Sequence, residues 1–255
     1  MHRPSAGRAE TSTTLESMDE LLLAWYAMHG RSLPWRDTKD PYAILVSEVM
    51  LQQTQVERVV PRWHTWLERW PTPAALAAAT PADVIRAWQG LGYNRRGLNL
   101  HRAACVIAEQ GWPEGLTALP GVGPYTAAAL RNQAFGEPVL PVDTNVGRIQ
   151  ERTGHAFGPD ALQALFDLGA TVCLARVPRC EVCPLAEACP SRGRRYEPLR
   201  KQSAFEGSFR QRRALLLREV AAEPRLLDTL DREAVDSLLR DGLVERAGEL
   251  VQLPG

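Results

Sequence analysis

The 255-residue sequence predicts an all-α body followed by a small C-terminal module of mixed structure. Three observations carry this. Apolar residues recur at helical spacing from Met18 to about Gly169. Two helix-start signals, Thr72-Pro73 and Thr80-Pro81, each place a capping residue before a proline at the first helical position. No strand-like alternation appears before the last forty residues.

Taken in order, residues 1–17 read as a disordered leader. Residues 18–41 hold an N-terminal helix on which Leu21, Leu22, Trp25 and Met28 share one face. Tyr42 to Gln53 is a second, strongly apolar helix. Val56 to Trp70 is a third, with Val59, Val60, Trp63, Trp66, Leu67 and Trp70 turned inward. Helices 73–79 and 81–88 follow the two threonine caps, and another opens at Pro124. Residues 192–210 read as a basic linker. In residues 211–255, Leu215 to Val220, Leu226 to Leu230 and Ala234 to Leu239 read as helices. Leu243 to Leu253 alternates around Ala247-Gly248 like a two-stranded wing. This C-terminal pattern resembles a small winged-helix module.

Composition narrows the function classes. Hydrophobic residues make up 45% of the chain, enough for a sizeable core. No apolar run approaches the ~18–20 residues that span a bilayer, and the N-terminus lacks the apolar stretch of a secretory signal. A cytoplasmic, nucleoid-associated monomer without membrane contact is expected. Its cysteines should then be thiols rather than disulfides. Thirty basic residues balance thirty acidic ones, so net charge gives no argument for nucleic acid. Segment 192–213 departs from that balance. It holds Arg192, Arg194, Arg195, Arg200, Lys201, Arg210, Arg212 and Arg213 against Glu197 and Glu206, the local footprint expected beside phosphates. Lys39 and Lys201 are the only lysines, which leaves few amines for Schiff-base chemistry.

Cys173, Cys180, Cys183 and Cys189 are spaced C-x6-C-x2-C-x5-C. Four thiols this close in a cytosolic chain point to metal. Four-cysteine zinc sites usually pair two separated C-x2-C knuckles, and only one is present. A 4Fe-4S cluster takes four thiolates from irregular loops, and Pro178, Pro184 and Pro190 keep this segment looped. The spacing favours the cluster over zinc. Cys105, among Ala104, Val106 and Ile107, reads as a buried small hydrophobe.

Two further stretches carry chemistry. In Leu119-Pro-Gly-Val-Gly-Pro-Tyr125, Gly121 and Gly123 flank Val122 and a helix follows. Tight backbone and the open N–H groups of a helix start suit a phosphate, as in a helix–hairpin–helix. Glu48 sits among Leu45, Val46, Val49, Met50 and Leu51. A carboxyl there is costly unless exposed, paired or functional, and desolvation would raise its pKa toward that of a neutral-pH acid. Asp143 stands between an apolar stretch and a new helix, where it can cap and can also face a cleft.

Together these residues resemble the helix–hairpin–helix DNA glycosylases that carry an iron–sulfur cluster, the MutY-type adenine DNA glycosylases above all. The motifs are Leu33-Pro-Trp-Arg36, Ser47 to Gln55, Gly90-Leu-Gly-Tyr93, Leu119 to Tyr125, Val142-Asp-Thr-Asn-Val146 and the four cysteines, across roughly residues 20–195. The resemblance implies a two-lobed fold. Its parts would be a six-helix barrel over 42–142 and a cluster domain over 143–191, against which the N-terminal helix of 18–41 packs. Double-stranded DNA would lie between the lobes. By position, Glu48 would protonate the departing adenine and Asp143 would stabilise the positive sugar, with Tyr125 and Asn145 as supporting catalytic groups. Gln52, Gln53, Thr54, Arg36, Tyr93, Gly121, Val122 and Gly123 would contact DNA, Gln53 as a wedge in the base stack. Tyr125 stands where the endonuclease III relatives place a lysine nucleophile, which implies a monofunctional hydrolase with little lyase activity.

The expected function is excision of adenine opposite 8-oxoguanine or guanine in base excision repair. Too little chain follows Cys189 for the further domain that reads 8-oxoguanine in most such enzymes. Thymine or uracil excision opposite guanine is the alternative, and a non-catalytic iron–sulfur DNA-binding regulator is a third reading.

Overall fold

The computed structural model describes residues 17–197 and 204–255. The expected leader, up to residue 16, and Arg200 and Lys201 of the basic stripe lie outside the described residues. In chain order the helices are α1 (Met18–His29), α2 (Pro41–Leu51), α3 (Val56–Arg69), α4 (Pro73–Ala77), α5 (Pro81–Trp88), α6 (Arg95–Gln110), α7 (Pro124–Gln133), α8 (Thr144–Thr153), α9 (Leu162–Thr171), α10 (Phe209–Ala222) and α11 (Arg232–Arg240). Three short strands, β1 (Arg225–Leu226), β2 (Glu245–Ala247) and β3 (Leu250–Gln252), lie near the C-terminus. No described helix is long and apolar enough to cross a membrane.

The chain divides into two compact units, one formed by the segment through Arg31 with Thr144–Glu197, the other by Ser32–Asp143 with the C-terminal segment. In the first, Ser17 is a cap rather than the end of a leader. Its hydroxyl accepts from Glu20 N–H at 3.2 Å while the Glu20 carboxylate accepts from Ser17 N–H at 2.7 Å. Of the expected inward face of α1, Leu22 is fully buried but Met28 is 78% exposed. The N-terminal turn of α1 is tied down through Asp19, which accepts from Gly158 N–H at 3.1 Å. The fully buried Asp167 of α9 holds the Arg31 side chain, with Nε and Nη2 at 2.8 and 2.7 Å from Oδ1. A buried carboxylate needs such a partner.

In the second unit α2 is buried on every side from Tyr42 to Met50, the signature of a central helix. Trp63 and Trp66 of α3 pack on it and donate their indole N–H groups to Ala43 O (2.9 Å) and the Tyr42 hydroxyl (3.3 Å). Thr72 and Thr80 cap α4 and α5 as expected. Residues 32–41 pack in this unit rather than with α1, because Leu33 and Trp35 bury in its core and Trp35 meets Trp63 edge-on.

The C-terminal strands form an antiparallel sheet in the order β1-β3-β2. The helix expected over Leu226 to Leu230 is present only as a 3-10 turn at Leu227–Thr229. Arg225 and Leu226 instead pair with Val251 and Leu250, a long-range contact that local periodicity does not reveal. The module is continuous with its unit. Ile85 of α5 and Leu98 of α6 share one core with Leu217, Val220, Val235 and Val251, and Arg86 Nε donates to Ala221 O at 3.2 Å.

The basic stripe is also corrected. Helix α10 begins at Phe209, inside the expected linker. Arg212 pairs with Asp231 and Glu233, both at 2.7 Å, Arg213 with Asp241 at 2.6 Å, and Arg192 with Glu187 at 2.6 Å. Charge counted along the chain missed acids that the fold brings opposite.

Candidate active site and cysteine centre

Pro41 at the first position of α2, behind the Asp40 cap, sets that helix so that Glu48 faces α7. Glu48 is 6% exposed. Gln133 Nε2, from the last turn of α7, donates to its Oε1 at 3.0 Å, and the Tyr125 hydroxyl also bonds to its carboxyl. Burial dominates its titration and pushes the carboxyl up from 4.5 to about 7. The bonds from Gln133 and Tyr125 pull down and the negative Asp143 pushes up. The Tyr125 phenol is driven well above its ordinary range by burial, then by Glu48 and Asp143, so it stays a donor. The fold thus brings Glu48, Tyr125 and Asp143 together from three places in the sequence. Gln133 was not singled out from the sequence. Its signal was available, since it is a polar residue two turns beyond Tyr125 on the inward face of α7.

Asn145 lies in the other unit. There its side-chain oxygen accepts from Arg148 Nη2 at 2.9 Å, while Arg148 also donates to Cys173 O and Gly169 O at 2.9 and 2.8 Å.

Among the described residues, the only non-glycine positions with positive φ are Gln53 (58°) and Tyr93 (45°), both expected DNA contacts and both exposed. Such strain persists only where surroundings enforce it and clusters at functional sites. Arg96 enforces it here. Its Nη1 donates to Val49, Met50 and Gln52 carbonyls at 2.7, 3.1 and 2.5 Å. Its Nη2 donates to the Thr54 hydroxyl, Leu91 O and Gly92 O at 3.0, 3.1 and 3.0 Å. One guanidinium therefore closes the end of α2 and ties the 52–54 loop to the 91–93 loop. The sequence marked Arg96 as nothing special. Thr54 is engaged internally in the same network, also donating to Leu91 O at 3.3 Å. Gln52 contributes its carbonyl.

Arg36 is half-buried in a 3-10 turn beside the buried Trp35. In the hairpin, Gly121 has φ +79° and a Cβ there would lie 2.8 Å from Asn99 Cβ, so glycine is required. Gly123 precedes α7 with no side-chain cap, which leaves the first N–H groups of that helix open to an anion. The Val122 side chain is in the core, so only its backbone can face a ligand.

The four cysteines of the first unit are free thiols lining one open recess. Four thiols lining one recess supply the donor set that a 4Fe-4S cluster takes. Further donors face the sulfurs. Arg152 Nη1 donates to Cys173 Sγ and Gly193 N–H to Cys180 Sγ, both at 3.3 Å, and Leu185 N–H serves Cys183. Burial, and then the neighbouring cysteines, push the Cys183 thiol up to about 11. Cys105 is half-buried and 4.0 Å from His101 Nε2, less enclosed than expected.

A family model for the HhH-GPD superfamily of base excision DNA repair proteins matches residues 46–166. The chain is 42% identical to an adenine DNA glycosylase of Mycobacterium tuberculosis over 89% of its own length and 90% of that protein's. It belongs to the adenine DNA glycosylase family. A human adenine DNA glycosylase is 38% identical over 73% of this chain and 42% of its own. Among solved structures, a thermostable thymine-DNA glycosylase superposes with a TM-score of 0.62 at 26% identity, over 68% of this chain and 94% of that one. An endonuclease III trapped on DNA gives 0.59 at 21% identity, over 68% and 92%, a likeness of fold. The adenine glycosylase family is thus carried here on the mostly helical endonuclease III fold, with small C-terminal strands added.

Proposed function

We propose that this chain is a monofunctional adenine DNA glycosylase that removes adenine mispaired with 8-oxoguanine or guanine. The observation that carries the reading is Glu48, a buried carboxyl with a pKa of about 7 held between Tyr125, Gln133 and Asp143. A group half-protonated near neutral pH is matched to general-acid work. The target base must first leave the stack, and Gln53 and Tyr93, both at positive φ, and the uncapped start of α7 would contact the distorted duplex. The Glu48 proton passes to a ring nitrogen of adenine as the N-glycosidic bond breaks, and the bonding electrons leave with the base. The sugar becomes oxocarbenium-like, and the Asp143 carboxylate offsets its charge. Water adds at the anomeric carbon and gives up a proton that restores the Glu48 acid, leaving free adenine and an abasic site. Asn145 serves as a supporting polar group.

Cys173, Cys180, Cys183 and Cys189 would hold a 4Fe-4S cluster. Bound there, it would supply a rigid cross-link of the loop after α9 and a redox-capable centre. The second unit would combine a six-helix barrel with a winged-helix module, and the protein would act on duplex DNA as a monomer.

Lyase activity is expected to be low. The Lys39 ammonium donates to Gln133 O at 3.1 Å, at the C-terminal end of α7 and two turns from Tyr125. Single-turnover cleavage of duplexes carrying A opposite 8-oxoguanine, A opposite G, T opposite G and U opposite G tests the function. Excision confined to the adenine duplexes is expected. Excision of only thymine or uracil, or of nothing, overturns it.

A further inference from the structure

We infer that Gln133 is a positioning residue for catalysis: its side-chain amide fixes the Glu48 carboxyl and selects which of its oxygens carries the proton delivered to the base. This rests on Glu48 as general acid. Gln133 Nε2 donates to Glu48 Oε1 at 3.0 Å. An oxygen accepting that N–H is the carbonyl-like one, so the acidic proton sits on Oε2. A freely rotating acid would present either oxygen, whereas a pinned one presents the proton in a single direction, the geometry proton transfer requires.

The amide is built in at both ends. Gln133 is buried at the last turn of α7, where an unpartnered amide would be costly. Its backbone carbonyl accepts the Lys39 ammonium at 3.1 Å, which ties down the helix end from which the side chain reaches. Apolar packing would serve α7 equally well without reaching Glu48. The groups facing Glu48 are Tyr125 and Gln133 from α7 and Asp143 from the stretch before α8. Of the neutral donors, Tyr125 is the one the family resemblance already placed at the site.

The sign of the pH effect follows. An N–H donated to a carboxylate favours its ionised form. Without it Glu48 stays protonated to higher pH, so the basic limb of excision moves up. The test is single-turnover excision from pH 5 to 9.5 for the parent, Gln133→Met, Gln133→Glu and Glu48→Gln, with enzyme in excess so that rate constants do not depend on the folded fraction. Gln133→Met keeps the volume and removes the donor. Its basic limb should rise by roughly half to one pH unit, with a plateau about tenfold lower from the unpinned carboxyl. Gln133→Glu places a second carboxyl against the first and should move the limb at least as far, as two acids sharing a proton do. An unmoved limb in both variants, with or without a lower plateau, overturns the inference and leaves Gln133 a packing residue. That result is distinct from failure of the underlying reading, in which Glu48→Gln itself would excise at near the parent rate.

Discussion

Replacing Glu48 by Gln should abolish excision and at the same time stabilise the protein, but only at neutral and alkaline pH. The folded-state pKa is about 7 against 4.5 in the unfolded chain. Folding therefore retains a proton that the unfolded carboxyl releases between those values. The native state is progressively disfavoured as pH rises from about 4.5 to 7, and the cost is constant above. A folded pKa raised to about 7 corresponds to about 3 kcal/mol of disfavoured ionisation at pH 8. Gln is nearly isosteric and neutral, and its oxygen can still accept from Gln133. The variant should thus be more stable than the parent by about 2–3 kcal/mol at pH 8 and about equal to it at pH 4.5. Losing the acid should lower excision by at least ~10². Phosphate contacts are untouched, so mismatched duplex should still bind. Denaturant unfolding at the two pH values, gel shift and single-turnover excision check all three. A stability difference that is the same at both pH values would refute the buried-acid account, and near-parental excision would refute the general-acid role.

Other outcomes follow from the same geometry. Asp143→Asn removes the charge that offsets the cationic sugar, so excision should fall on the order of 10²–10³ with melting temperature and duplex binding retained. The purified protein should be brown with about four irons per chain, and Cys183→Ser should lose colour and iron together; a colourless protein with one zinc would contradict the cluster. Arg96→Ala removes one donor from six oxygens at the end of α2 and its neighbouring loop, and should destabilise by about 1–3 kcal/mol while weakening duplex binding through Gln53 and Tyr93. Borohydride should trap little covalent DNA complex, and efficient trapping lost in Lys39→Ala would show that the Lys39 amine does reach the sugar.

The elements that depend on near neighbours in sequence were legible. The helix starts at Pro73 and Pro81 are written in their threonine caps and prolines, and the start at Pro124 in its proline. The burial of α2 is written in an apolar run with no polar face. The cysteine spacing announced a metal centre, and Glu48 stood out as a carboxyl where apolar neighbours make one expensive. Only the tertiary structure decided which groups meet it. Gln133 and Lys39 come from segments 85 residues and more than 90 residues away from their hydrogen-bond partners, and no local pattern encodes that approach. The same holds for β1, which is a strand because Val251 and Leu250 lie beside it. It holds for Arg212 and Arg213 of α10, whose charge meets Asp231, Glu233 and Asp241. It holds most plainly for Arg96, which no sequence pattern singles out and which becomes the clamp on two loops because six oxygens converge on its guanidinium. Periodicity and capping are properties of neighbouring residues and can be read along the chain. Hydrogen-bond partnership and desolvation depend on what the fold places within a few ångströms, and that is set by packing alone.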